Sequence, residues 1–301
     1  LERTETGRKN LAGSLWMVAS MGAFAVEDAF IKVATRTLPI GEVLILFGLG
    51  GMLIYIGMLY FNREPLFIPD VLSRPMLIRV GFEITGRLFY VLAIALIPLS
   101  AATVILQATP LVVVAGAALV FGEKVGWQRW AAIILGLLGV IVIVQPGTDG
   151  FSELSLLAIL GMIGFAGRDL ASRAAPATIG TSLLGLYGFL SVIVSGVLYS
   201  IWADTPLVIP ESEASLAVMG SIMVGVIGYS CLMKAMKTGE VSAVTPFRYT
   251  RLLFGIALGF LLFDEVLTPA ILFGSILIVM SGLFIMWLGK RRKIHEIPVL
   301  P

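Results

Sequence analysis

The chain alternates between long apolar runs and short polar breaks. A helix needs about 20 mostly apolar residues, each rising about 1.5 Å, to cross the hydrocarbon core of a bilayer. Runs of that length cover 12–35, 41–61, 77–97, 100–121, 127–145, 153–172, 180–202, 214–235, 241–263 and 269–289. Between them stand helix-stopping and turn-forming stretches: LPIGE at 38–42, NREP at 62–65, LIPLS at 96–100, GEKVG at 122–126 and QPGTDG at 145–150. The third and sixth runs are the least apolar, because they carry Glu83 with Arg87 and Arg168 with Asp169. The pattern predicts an all-α integral membrane protein with ten transmembrane helices and no soluble domain between them.

Composition agrees and narrows the chemistry. Apolar residues make up 58% of the 301 positions and charged residues 13%, whereas a soluble domain carries about 25% charged residues. Mean hydropathy is +1.00. One cysteine, Cys231, excludes an internal disulfide framework, and one histidine, His295, lies in the polar tail. Neither a cysteine- or histidine-rich metal centre nor a serine–histidine catalytic pair is available to the membrane portion. No cofactor or metal is expected, and no enzyme. The opening LERTETGRKN lacks the apolar core of a signal peptide.

Charge sets the expected orientation. With the N-terminus inside, the inner connections hold Arg8, Lys9, Arg63, Arg74, Lys124, Arg173, Lys237 and the run Lys290–Lys293. The outer ones keep only Arg36 beside Glu42, Asp149, Glu153, Asp204, Glu211, Glu213, Asp264 and Glu265. Basic residues accumulate on the cytoplasmic side of short loops, so both termini are expected in the cytoplasm. The compact, loop-poor form points to a bacterial inner membrane. The KRRK tail reads as a topology anchor, not a nucleic-acid site.

A shift of 142 residues aligns Ser100, Ala101 and Thr103 with Ser242, Ala243 and Thr245, and brings Phe121 onto Phe263 and Glu123 onto Glu265. The chain therefore divides into a first five-helix half, 12–145, a second, 153–289, and a basic tail, 290–301. Five is odd, so the second half enters the membrane from the opposite side. Inverted repeats around a central site are a recurrent basis of alternating access.

The segments PLSAATVILQATPLVVVAGAALVFGEKVGWQRWAAIILGLLGVIVIVQPG at 98–147, GEVSAVTPFRY at 239–249 and FLLFDEVLTPAILFGSILIVMSG at 260–282 resemble the EamA-type branch of the drug/metabolite transporter superfamily. The resemblance covers essentially the whole chain. It implies a 5+5 inverted-repeat carrier of small metabolites, with a central cavity bounded by helices three, four, eight and nine, and with helices one and six contributing. It also implies that helices five and ten form a peripheral pair, the expected contact of a homodimer. The motifs are specific for the family and poorly specific for cargo.

Ionisable residues inside spans are costly and face protein or a watered cavity. Glu27, Asp28 and Lys32 sit in the outer half of helix one; Asp28 and Lys32 are four apart and suited either to neutralise each other or to gate and couple. Glu83 and Arg87 are likewise four apart on helix three, with Tyr90 one turn on. A neighbouring Arg87 would hold Glu83 ionised, which argues against proton loading there. Arg248 and Arg251 share a face of helix nine. An arginine cannot lose its proton to escape burial, and its planar fork matches a carboxylate or phosphate at two points. Arg87, Arg248 and Arg251 are therefore candidate substrate contacts, the alternative being internal ion pairs. Gln107 in helix four, aligned by the repeat with Tyr249, offers a donor and an acceptor. Trp16, Phe24, Tyr90 and Tyr249 are candidate cavity walls, although membrane aromatics more often pack helices or meet lipid. Glu27, Asp28, Lys32 and Glu83 are the candidates for gating or coupling.

These features predict a secondary transporter of a small anionic or zwitterionic metabolite, carboxylate or amino-acid-like, working by alternating access. No phosphate-binding loop supplies an ATP-driven engine. The competing readings are an exporter of amino acids or of cationic, drug-like metabolites, and a lipid-handling membrane protein.

Overall fold

The computed structural model describes residues 2–122, 125–145, 152–176, 178–238 and 244–295. Among these, every regular element is helical: α1 (Glu2–Ala34), α2 (Ile40–Phe61), α3 (Arg74–Leu96), α4 (Leu99–Leu106), α5 (Thr109–Phe121), α6 (Trp127–Val144), α7 (Ser155–Arg173), α8 (Thr181–Trp202), α9 (Ser212–Thr238), α10 (Thr250–Phe263) and α11 (Pro269–His295), with 3₁₀ turns at Pro69–Leu72 and Thr245–Tyr249. Taken as one broken span, α4 and α5 bring the total to ten membrane crossings. Glu123, Lys124, residues 146–150, Ser242, Ala243 and the tail from 296 onward lie outside the described residues.

Among the described residues, six spans are long and apolar enough to cross by themselves: Arg8–Ala34, Ile40–Phe61, Leu99–Phe121, Ser155–Ser172, Thr181–Trp202 and Ser212–Leu232. The third run fails that measure because α3 carries Arg79, Glu83 and Arg87 along its length. Its charges are tolerated because Arg79 and Glu83 are buried against protein.

Helix packing exchanges its partners as an inverted repeat requires. The first helix of one half packs on the third of the other in both senses: α1 on α9, and α7 on α3. Helices α2 and α8, α6 and α11, and α4 and α10 pair with their own counterparts. The repeat extends to backbone detail. Gly122 ends α5 in the left-handed conformation at φ 66°, and its counterpart Asp264 ends α10 at φ 51°. A left-handed residue closes a helix by turning the chain sharply away from the axis.

The fourth and ninth spans are not continuous helices. Pro110 and Pro246 lie at the starts of α5 and of the Thr245–Tyr249 turn. The missing N–H of Pro110 leaves the Leu106 carbonyl without its helical donor, and Thr109 fills in, its Oγ1 donating to Leu106 O at 2.5 Å. Within the second break, Thr250 Oγ1 donates to Phe247 O at 2.6 Å. Arg248 therefore sits on a 3₁₀ turn and Arg251 on α10, and Gln107 occupies a break, not a mid-helix position.

Candidate functional site: a buried ion-pair centre

Three helices deliver the central charges. Glu27 and Asp28 are consecutive on α1, about 100° apart around its axis, so they meet different partners. Arg87 Nη2 of α3 donates to Glu27 Oε1 at 2.9 Å. Arg251 Nη2 of α10 donates to Asp28 Oδ2 at 2.6 Å, and the Tyr90 hydroxyl of α3 donates to the same oxygen at 3.0 Å. Both acids are buried, Asp28 completely. Each guanidinium also lies over aromatic rings: Arg87 is 4.6 Å from the Phe47 centroid, and Arg251 is 5.4 Å from Phe24 and 5.8 Å from Tyr90. Planar, weakly hydrated guanidinium suits such stacked and paired burial better than ammonium.

The two pairs expected at a spacing of four, Asp28 with Lys32 and Glu83 with Arg87, do not form. Asp28 does not neutralise Lys32. Lys32 instead donates to Ile94 O at 2.9 Å and Ile97 O at 2.7 Å, and lies 3.7 Å from Glu265. Glu83 does not take Arg87 either. It meets Arg79 at 3.4 Å and Arg168 of α7 at 3.3 Å, while Arg168 also bonds Asp169 at 2.8 Å and Arg79 Nε bonds Ser172 at 3.0 Å. The cause is burial. Glu27 and Asp28 lie in the interior, where an uncompensated carboxylate is most costly, and they claim the arginines of neighbouring helices.

The helix breaks meet beside this centre. Gln107 Nε2 donates to Arg248 O at 3.0 Å, joining the interruption of the fourth span to that of the ninth. Arg248 makes no ion pair among the described residues, and its buried Nε has no hydrogen-bond partner. Asp28 Oδ1, Arg251 Nε and Thr103 Oγ1 are likewise buried without partners. The centre thus holds two ion pairs, a third guanidinium with no ion pair among the described residues, and several buried polar atoms without partners, a donor-rich arrangement able to take a carboxylate at two points.

Arg87, Arg251, Glu27, Asp28, Tyr90 and Phe24 come together as one constellation, with Gln107 and Arg248 at its edge. Four other candidates lie elsewhere. Lys32 stands beside Glu265. Trp16 stacks under Lys234 at 4.3 Å, in a small cluster with Met17, Met21 and Ala235. The Tyr249 hydroxyl turns toward α11, into the space a Cβ on Gly282 would occupy. Glu83 belongs to the separate α3–α7 cluster. Sequence reasoning missed Phe47 as the platform for Arg87 and Arg79 as a partner of Glu83. Arg168 and Asp169 carry a signal in the sequence, as charges inside an apolar run.

The model of the EamA-like transporter family matches this chain twice, at residues 11–145 and 154–287. An S-adenosylmethionine uptake transporter of Rickettsia prowazekii is 25% identical over 286 residues, spanning 93% of this chain and 94% of its own. The pseudopaline exporter CntI of Pseudomonas aeruginosa is 28% identical over 276 residues, 90% of this chain and 94% of its own. A riboflavin transporter of Rhizobium johnstonii is 26% identical over 294 residues, 94% and 93%. A solved crystal structure, 19% identical, superposes with a TM-score of 0.61 over 95% of this chain and 99% of its own, a likeness of fold.

Proposed function

The chain belongs to the EamA-like transporter family, and from that premise we propose that it is a secondary transporter of a small zwitterionic or anionic metabolite, worked by alternating access. It is a multi-pass membrane transporter and not an enzyme; its partners are a small-molecule substrate and the lipid bilayer. The similar transporters carry unlike cargoes in opposite directions, being named for uptake of S-adenosylmethionine, export of pseudopaline and transport of riboflavin. Shared ancestry therefore leaves both cargo and direction to the residues of the site.

The observation that carries the cargo class is the arginine excess at the ion-pair centre. Glu27 and Asp28 answer Arg87 and Arg251, and Arg248 makes no ion pair among the described residues. A carboxylate of the cargo pairs with it, and an ammonium on the same molecule has Asp28 Oδ1 at hand. A purely cationic cargo would add a positive charge beside three arginines and two acids. The five-helix halves 12–145 and 153–289 act as the two exchanging units. Both termini, with the tail 290–301, lie in the cytoplasm of a bacterial inner membrane.

The test is a thermal-shift screen of the purified protein against di- and tricarboxylates, neutral and acidic amino acids, nucleosides and quaternary amines, followed by transport of any hit into proteoliposomes. Stabilisation by a carboxylate or zwitterion, lost in Arg248→Ala and Arg251→Ala, is the expected result. Stabilisation by quaternary amines alone would sink the proposal.

A further inference from the structure

A second charged cluster lies outside the ion-pair centre, where α3 meets α7 and α8. Arg79, Glu83 and Arg87 are spaced four apart on α3 and share one face. At about 1.5 Å per residue, this charged stripe runs about 12 Å along the helix from Arg87 to Arg79. Arg79 stands near the end of the bundle where α3 begins and α7 finishes, the end that the basic connections assign to the cytoplasm.

The two arginines of this cluster are used differently. Arg168 engages all three of its nitrogens: Nε and Nη2 donate to Asp169 Oδ1 at 3.0 and 2.8 Å, and Nη1 donates to Glu83 Oε1 at 3.3 Å. Arg79 is buried and makes one hydrogen bond among the described residues, from Nε to Ser172 Oγ at 3.0 Å. Glu83 stands 3.4 Å from Arg79 Nη2, whereas a charge-assisted bond to a carboxylate spans about 2.7–2.9 Å. Arg79 Nη1 is buried with no partner. Gly188 of α8 faces the same guanidinium bare: a Cβ there would meet Arg79 Nη2 at 3.9 Å and no other described atom within 4 Å. A guanidinium keeps its charge on burial. One loosely held carboxylate leaves its fork largely unused, and a second can take it at two points.

We infer that Arg79, with the bare Gly188 opposite, is a second carboxylate site, separate from the central one and nearer the cytoplasmic end. The incoming carboxylate takes the guanidinium from the Gly188 side and competes with Glu83 for it. A singly charged carboxylate suits this site better than a phosphate, whose second charge Glu83 would repel. Arg248 lies within electrostatic reach both of Arg251 in the centre and of Arg168 and Asp169 in this cluster, so guanidinium groups line the way from one site to the other. That the ligand is the cargo's own carboxylate, held at the inner end before or after the centre, rests on the transport reading above; the carboxylate site itself does not.

The probe is acetate labelled at its carboxyl carbon, whose NMR line broadens on exchange with a protein-bound state; acetamide, similar in shape and uncharged, is the control. The full chain is studied in phosphatidylcholine nanodiscs, as wild type and with Arg248→Ala, which removes the contribution of the central site. Saturable acetate broadening that survives Arg248→Ala is expected. Gly188→Leu, set in that background, fills the face of Arg79 and abolishes the broadening; Gly188→Ala, which only reaches van der Waals contact, weakens it. Glu83→Gln removes the competing carboxylate and tightens acetate binding by about tenfold, the scale of one hydrogen bond to a charged group. A purely structural network would leave binding in Glu83→Gln unchanged or weaker, and either result overturns the inference. Broadening that both Gly188 variants leave untouched overturns it as well, as does broadening no greater than that of acetamide. Broadening lost in Arg248→Ala and indifferent to Gly188 puts the carboxylate site at the centre alone, and the cargo reading stands without this one. Broadening lost in Gly188→Leu and equal with and without Arg248 keeps the inner site and counts against Arg248 as the cargo's contact.

Discussion

The contacts α3–α7 and α1–α9 occupy equivalent places in the repeat but are built differently. At α3–α7 the backbones touch: a Cβ on Gly86 would sit 2.9 Å from the Phe165 amide, and one on Gly164 would run into Gly86 itself. At α1–α9 the counterpart of Gly86 is Gly228, and a Cβ there would meet the Phe24 ring at 3.1 Å. A side chain cushions one joint where backbone locks the other. The charges diverge as well. Counterparts of Asp28, Arg87, Tyr90 and Arg251 under the 142-residue shift are Leu170, Tyr229, Leu232 and Thr109. The repeat supplies the frame, and the ion-pair centre is written where the two copies have lost their likeness.

Restoring that likeness at Asp28 is expected to have the largest effect. Asp28→Leu installs the residue of the equivalent position and leaves Arg251 buried without its partner. Removing one member of a buried pair costs about 3–5 kcal/mol, so a fall of many degrees in Tm is expected, with transport abolished. The double variant Asp28→Leu/Arg251→Thr makes both positions match their counterparts. Replacing a whole buried pair by uncharged groups is often nearly neutral, so Tm recovers most of the loss while transport stays absent. Recovery of transport along with stability would reduce the pair to scaffolding.

The two glycine joints come next. Gly164→Ala pushes a methyl into the backbone of α3, where nothing flexible yields; overpacking of this kind costs about 1–3 kcal/mol. Gly228→Ala meets the edge of the Phe24 ring, which turns aside, and the expected change is a small fraction of that. Differential scanning fluorimetry of the two variants side by side checks the order. Equal losses would show that α1–α9 is as closely locked as α3–α7.

The ten crossings, the repeat and its inverted sense were legible because each depends on local information: run length, and identity at a fixed offset. The partners of the charges were not. Spacing of four residues marks Asp28 with Lys32 and Glu83 with Arg87 as neighbours on a helix face, but such pairs contribute only about 0.2–0.5 kcal/mol. The choice passes to whichever carboxylate is most deeply enclosed, a property of the packed bundle. Aromatic positions were hard to place for a related reason. A span that is apolar all round gives no periodic signal of its inner face, so Trp16 and Phe24 looked alike on α1 although only Phe24 borders the centre. The helix breaks at Gln107 and Arg248 carried a signal in Pro110 and Pro246, and their meeting through one amide needed the fold.

The smallest expected effect compares the two members of an aligned pair, Gln107 and Tyr249, which the repeat superposes and the structure uses oppositely. The Gln107 amide holds the Arg248 carbonyl at 3.0 Å and joins the two helix breaks. The Tyr249 hydroxyl is buried against α11 with no hydrogen-bond partner. A made hydrogen bond contributes about 0.5–1.5 kcal/mol, whereas a buried hydroxyl without a partner is itself a cost. Tyr249→Phe should therefore leave Tm unchanged or slightly raised and leave transport intact. Gln107→Leu should lower Tm by a few degrees and free the turn that carries Arg248, weakening cargo binding. A Tyr249→Phe variant that folds and fails to transport would show that this hydroxyl swings from α11 into the cargo path during the cycle, and that both members of the aligned pair serve the site.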